Sequence, residues 1–303
     1  MDAAPHNVCV TITTGRSGST FLHNVFQRNY PGQRGILHES LHPGKAKPAI
    51  YQRLDDESPL ADPEVAAHLA DWDGLLQAGP VVDFGWVLGW LAPALRRRYR
   101  ERLKVLVLTA HPLSVAASFA NRGHYTLNSN PAWAISPRHD RVVYGQRYAA
   151  RWERMSPFEK GLYRWLETTR FGLDLPMQYP DVESMAVLSR DVFSNTHIAE
   201  SIAEMIGFPR KALDYHVERN ESSRHHVERR PVGEEWRRIF DMPEVVDLAQ
   251  SMGFDMAEST LERMIGRYRP QGVLPRLRHM TGYWAARERL GRLARRLRVD
   301  DDK

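Results

Sequence analysis

The chain has 303 residues, 42% hydrophobic and 26% charged, enough for one large domain or two small ones burying roughly three quarters of the unfolded surface. Its single cysteine, Cys9, rules out an internal disulfide, so a disulfide scaffold is excluded and a reducing compartment is expected. The net charge of +5 is a tail property, because eight Arg stand against one Glu between Val273 and Val299 while residues 1–272 are close to neutral. No apolar run reaches the roughly 18 residues of a membrane span, and MDAAPHNV lacks the basic-then-apolar design of a secretory signal. The expectation is a cytoplasmic protein with no membrane span. Arg outnumbers Lys 36 to six, a bias typical of GC-rich bacterial genomes.

In chain order, Val8–Thr13 is a β-rich run of the kind that forms a first buried strand. A turn with Gly15 and Gly18 follows, then a helix starting near Ser19 and clear from Phe21 to Asn29. Gly35–His38 reads as a short strand with Glu39 at its end. Pro63–Gln77 has helical periodicity with Pro63 at a permitted first-turn position. Val81–Phe84 is a third strand. Val87–Arg102 reads as a helix closing on a basic cluster. Lys104–Thr109 is the clearest buried strand, and Pro112–Asn121 a small-residue helix. Residues from His124 to Pro157 show no sustained period, which marks a functional or mobile segment. Phe158–Phe171 is a helix, Met185–Ser189 a strand and Thr196–Ile206 a helix stopped by Gly207 and Pro209. Helices follow at about Gly233–Phe240, Pro243–Met252 and Met256–Arg267, and an Arg-rich amphipathic helix at Tyr283–Leu297. Strands alternating with helices predict an α/β three-layer sandwich with a mostly parallel sheet. The expected organisation is one domain over residues 1–272 and a helical tail over 273–303. The tail's leucine stripe (Leu290, Leu293, Leu297) suits packing on the domain or on a second subunit, hence a possible homodimer. No aromatic interleaving supports nucleic-acid binding.

The stretch TTGRSGSTFL carries the chemistry. Free N–H groups and the positive dipole end make a helix N-terminus an anion site. Gly15 and Gly18 allow close backbone approach. Ser17, Ser19 and Thr20 are hydroxyl donors. Arg16 can bridge phosphate oxygens with two donors and keeps its charge. No Lys precedes Ser19 or Thr20, so the β/γ-phosphate grip of an ATPase loop is missing. KVLVLTAH lacks an acid to hold magnesium. His225 and His226 have no Cys or well-spaced acid beside them, so no metal is expected.

This stretch resembles the 5′-phosphosulfate loop of the sulfotransferase family: a basic residue, then Ser-Gly-Ser/Thr-Ser/Thr and an aromatic. VVDFGW and KVLVLTAHPLSVAASF resemble the family's second segment. FEKGLYRWLETTR resembles its tryptophan-bearing helix, and MAVLSRDVFS with IGFP its last strand and turn. The likeness covers roughly residues 8–255. It implies a P-loop-like fold and 3′-phosphoadenosine 5′-phosphosulfate (PAPS) as co-substrate without a metal. Gly15, Arg16, Ser17, Gly18, Ser19 and Thr20 would hold the 5′-phosphosulfate. Ser118 would hold the 3′-phosphate.

Two departures stand out. The family's Arg-Asp-Pro is here Ala110-His111-Pro112, leaving Arg122, Arg224, Arg229 or Arg230 to replace the lost charge at the 3′-phosphate. Val82-Asp83-Phe84 lacks the family's lysine. Carbohydrate-type members carry a Glu after the second strand, and Glu39 of ILHESLHP matches it as the base. His38 and His42 flank it and could serve instead, and Asp83 is a further alternative. The acceptor is expected to be a hydroxyl or amine of a small molecule or carbohydrate, with Tyr125, Trp133 and Tyr144 as candidate lid aromatics. A nucleotide or small-molecule kinase, and a non-catalytic binder of the same fold, remain as alternatives.

Overall fold

A computed structural model describes residues 6–41, 58–125, 134–217, 231 and 233–268. The chain divides into two compact units, one formed by residues 1–110, 132–150 and 167–220, the other by 111–131, 151–166 and 221–303.

The first unit is built on a parallel sheet. Its strands are β1 (Val8–Thr13), β2 (Ile36–Leu37), β3 (Val81–Asp83), β4 (Leu103–Thr109) and β5 (Glu183–Leu188). They lie in the order β2-β3-β1-β4-β5, every pair parallel. Each residue of β1 is buried, which is why VCVTIT reads as a continuous run and not an alternation. Cys9 pairs with Val82 on one side and Lys104 on the other. Side chains of one parity face helices α1 (Ser19–Asn29) and α7 (Thr196–Ile206). There Cys9, Leu106 and Leu108 pack with Phe21, Leu22, Phe26, Ile202 and Ile206. The other parity, with Ile12 and Val107, lies against Gly172 of α5 (Pro157–Gln178), whose missing side chain admits the helix: a Cβ there would sit 2.7 Å from Val107. Trp90 stacks on Phe171 at 4.6 Å on this face. Burial pushes the Cys9 thiol up to about 12, so it serves as a core residue.

Local signals explain most boundaries. Asp62 caps α2 (Pro63–Leu75) by accepting from the N–H groups of Glu64 and Val65, with Pro63 in the first turn. Asn195 caps α7, and Gly207, left-handed at φ 99°, ends it. Three expectations are revised. The helix read over Val87–Arg102 is a 3₁₀ turn at Leu88–Leu91, then α3 (Ala92–Tyr99), then a second 3₁₀ turn at Arg100–Arg102. Pro93 fits only a first turn, so it fixes where α3 begins. Helix α5 runs past Phe171 to Gln178, through Pro176. Phe171 and Leu175 are buried on it, and this packing outweighs the single hydrogen bond the proline removes. A short helix, α6 (Ser189–Ser194), follows β5 directly.

The second unit holds α4 (Pro112–Asn121), the first part of α5, α8 (Pro243–Ser251) and α9 (Glu258–Arg267). Gly161 of α5 lets the helix pass close to Ala116 of α4. Phe158 meets Trp236 at 5.0 Å, and Trp236 meets Tyr268 at 5.5 Å. Among the described residues no helix is long and apolar enough to cross a membrane. The tail read over 273–303 lies outside the described residues.

Candidate anion-binding site

Strand order reverses around β1: β3 lies on one side and β4 on the other. Crevices at the carboxyl ends of strands at such a switch are where open α/β sheets bind ligands. The segment leaving β1 there is Thr14–Gly18. Gly15, Arg16 and Gly18 all adopt the left-handed conformation, at φ 75°, 62° and 92°. Ser17, with negative φ, stands between Arg16 and Gly18, and such alternation of φ sign is the backbone pattern from which anion-binding nests are made. Gly18 leads directly into α1, which has no side-chain cap. The first N–H groups of α1 therefore have no capping oxygen from Gly18. A Cβ on Gly18 would meet the ring tip of Phe193 at 2.9 Å, which adds to the preference for glycine that its φ sets.

Side chains hold the loop in this shape. Thr14 Oγ1 and Ser17 Oγ are 3.0 Å apart, and each hydroxyl also reaches the Gly15 carbonyl, at 2.8 and 3.3 Å. Gly15 N–H donates to Thr13 Oγ1. Ser17 is 1% exposed, so its hydroxyl shapes the loop and only its N–H remains as a ligand donor. Ser189 Oγ–H, at the start of α6, lies against the carbonyls of both Ser17 and Thr109 and ties the loop to the ends of β4 and β5. Ser189 was read only as the end of a strand. A serine where a strand turns straight into a helix is the signal that could have singled it out.

Ser19 is buried and Thr20 half-buried, and their hydroxyls converge on one imidazole. His38 Nε2 lies 3.3 Å from Ser19 Oγ and 3.3 Å from Thr20 Oγ1. The His23 ring is 5.5 Å from that of His38. Burial, and then the charge of His38, push the pKa of His23 below 6.5.

The turn that carries His38 and Glu39 is clamped by Asp83, at the end of β3 and 1% exposed. Asp83 Oδ1 accepts from the N–H of Glu39 at 3.2 Å and from that of Gly85, and Oδ2 accepts from Ser40 N–H at 2.9 Å and from Ser40 Oγ–H. Ser40 Oγ also meets His68 Nε2 at 2.9 Å. Burial lowers the His68 pKa. With both oxygens engaged by the turn, Asp83 is a positioning group, unlike the base it was weighed as from sequence. Glu39 is half-buried and left-handed at φ 50°. A side chain at Gly85 would collide with the Glu39 backbone at 2.6 Å.

Arg16, Ser19, Thr20, His38 and Glu39 thus belong to one unit, around the exits of β1 and β2. Ser118 and Arg122 belong to the second unit. Ser118 is buried on α4, and Arg122 is exposed at its C-terminal end. His42, Trp133, Arg224, Arg229 and Arg230 lie outside the described residues. Within Ala110-His111-Pro112, His111 has a local task. His111 is the N-cap of α4: Nδ1 accepts from Leu113 N–H at 3.3 Å, and Nε2–H donates to the Asp255 carbonyl at 3.0 Å. Its ring also meets Phe254 at 5.3 Å. Imidazole here does the capping work of an aspartate. We expect His111→Ala to lower stability by about 1–2 kcal/mol, a lost cap plus a lost ring contact. His111→Asp should recover the capping part. Denaturant melts of the two variants decide this.

No protein-family model matches the chain, and no curated protein matches it. Among solved structures it is similar to a sulfotransferase from Alicyclobacillus acidocaldarius, at 12% identity and a TM-score of 0.44 over 86% of this chain and 100% of that one. It is also similar to the sulfotransferase domain of the Synechococcus PCC 7002 olefin synthase, at 14% identity and a TM-score of 0.41 over 85% and 98%.

Proposed function

We propose that the chain is a PAPS-dependent sulfotransferase acting on a hydroxyl or amine of a small-molecule or carbohydrate acceptor. One observation carries the reading: the turn Gly15–Gly18, with positive φ at Gly15, Arg16 and Gly18, leads directly into the uncapped start of α1 and includes a permanently charged residue, Arg16. The donor set fits a phosphosulfate. It consists of backbone N–H groups, the Ser19 and Thr20 hydroxyls and Arg16, and no carboxylate occurs between Thr13 and Phe21. No lysine precedes Ser19, so the fit to a nucleoside triphosphate is poorer.

Bound there, PAPS supplies an activated sulfuryl group. Arg16, the loop N–H groups and the Thr20 hydroxyl hold the 5′-phosphate and offset the charge that grows on it during transfer. Ser118, with Arg122 or Arg224, is the candidate group for recognising a 3′-phosphate. Glu39, on the clamped turn, receives the acceptor's proton.

Calorimetric titration with adenosine 3′,5′-bisphosphate, AMP and ATP–magnesium tests the reading. The bisphosphate should bind at least about tenfold more tightly than AMP, a difference of ~1.4 kcal/mol. Binding of ATP–magnesium alone would move the protein to the kinases. Binding of none would leave a non-catalytic fold.

A further inference from the structure

The His38 imidazole has no evident structural task where it stands. The loop is shaped by Thr13, Thr14, Ser17 and Ser189, and the turn by Asp83. Yet Nε2 is held against both hydroxyls of the first turn of α1, 3.3 Å from each. The backbone that delivers it is fixed on both sides. Leu37 pairs with Asp83 in the sheet and accepts from Phe84 N–H at 3.0 Å, and Glu39 N–H is bound by Asp83. A short edge strand thus aims one imidazole at the mouth of the anion loop, where the sequence has no lysine.

We propose that His38 is a catalytic residue that donates a hydrogen bond from Nε2–H to the oxygen leaving sulfur. The inference rests on the sulfuryl-transfer reading above and adds a leaving-group partner to it. As the acceptor oxygen or nitrogen bonds to sulfur, the bond from sulfur to the bridging oxygen breaks. Its electron pair stays on the 5′-phosphate of the departing adenosine 3′,5′-bisphosphate. The acceptor's proton passes to Glu39, and His38 keeps its own. Ser19 and Thr20, the neighbours of Nε2, turn their hydroxyls to the same phosphate. A donor placed where charge develops contributes more to the transition state than to the bound ground state.

The consequence is visible without knowing the acceptor, because water can serve. Hydrolysis of PAPS to sulfate and the bisphosphate should slow about 100-fold in kcat in His38→Ala, with KM for PAPS changed less than about threefold. His38→Gln restores an N–H donor near the same place and should recover most of the loss. A merely structural histidine would change Tm and KM together and gain nothing from glutamine. In wild-type protein, the His38 Nε2 resonance, assigned by its loss in His38→Ala, should shift when the bisphosphate is added. An unmoved resonance in protein that binds the bisphosphate overturns this inference and leaves the sulfotransferase reading standing. Wild-type hydrolysis by His38→Ala does the same. If wild-type protein does not bind the bisphosphate, both fall.

Discussion

Arg16→Ala is expected to lower turnover of PAPS by about 100-fold or more and to weaken bisphosphate binding in parallel. The expectation comes from where the guanidinium starts. Arg16 sits at φ 62° between two left-handed glycines, a conformation that costs a residue with a Cβ roughly 1–2 kcal/mol. Loop geometry alone would be served better by glycine there. An arginine held in that conformation has a use for its charge. Three variants separate charge from shape. Arg16→Ala keeps the strain and loses the charge. Arg16→Lys keeps a cation but loses the planar fork that bridges two oxygens, and should recover only part of the activity. Arg16→Gly relieves the strain and loses the charge, so its Tm should exceed that of Arg16→Ala while turnover falls as far as in alanine. The measurements are kcat, bisphosphate affinity and Tm across the three. An alanine variant with wild-type turnover would remove the loop from the site.

What could be read from the sequence divides along the range of the interactions involved. β1, the loop and α1 were legible because their cause is local: a buried β-rich run, glycines where φ must be positive, and hydroxyls at a helix start. Pro112–Asn121 and Thr196–Ile206 were placed correctly because proline, a cap and a stop glycine write their ends into the chain. His38 could be named but not placed. Its contact with Ser19 and Thr20 depends on β2 lying beside β3 at the sheet edge, and nothing in ILHES states that neighbour. The task of Asp83 was hidden for the same reason, since its partners Glu39 and Ser40 are 44 and 43 residues away in sequence. Ser189 joins Ser17 across 172 residues. The helix read over Phe158–Phe171 runs on through Gly172 and Pro176 to Gln178, because burial of Phe171 and Leu175 decides its length. His111 shows the converse. In the sequence it figured only as part of a departure from the family pattern, but its local geometry makes it the capping group of α4.

Asp83→Ala should destabilise the anion-site unit by about 3–5 kcal/mol. Removing the carboxylate leaves the N–H groups of Glu39, Ser40 and Gly85 without the acceptor they now share, at roughly 1–3 kcal/mol for each one that stays buried. Water cannot easily take over, because Asp83 is 1% exposed and Gly85 lies flush against the Glu39 backbone. Asp83→Asn separates the two oxygens. The amide oxygen can still accept from Glu39 and Gly85, but the amide nitrogen then faces Ser40 N–H, donor against donor, while the Ser40 hydroxyl rotates to accept from it, so a loss of about 2 kcal/mol is expected. Ser40→Ala should be milder, near 1 kcal/mol, because its backbone N–H keeps its partner and only the hydroxyl link to Asp83 and His68 goes. The order Ala, Asn, Ser40→Ala should hold in urea melts. Turnover, measured well below each Tm, should fall in the same order, because a loosened turn carries both His38 and Glu39 away from the loop. A sharp fall in turnover with wild-type stability in both Asp83 variants would contradict the clamp and return Asp83 to the candidates for the base. Parallel loss of stability and turnover means that the carboxylate acts through the turn it holds, and that proton transfer belongs to the residues on that turn.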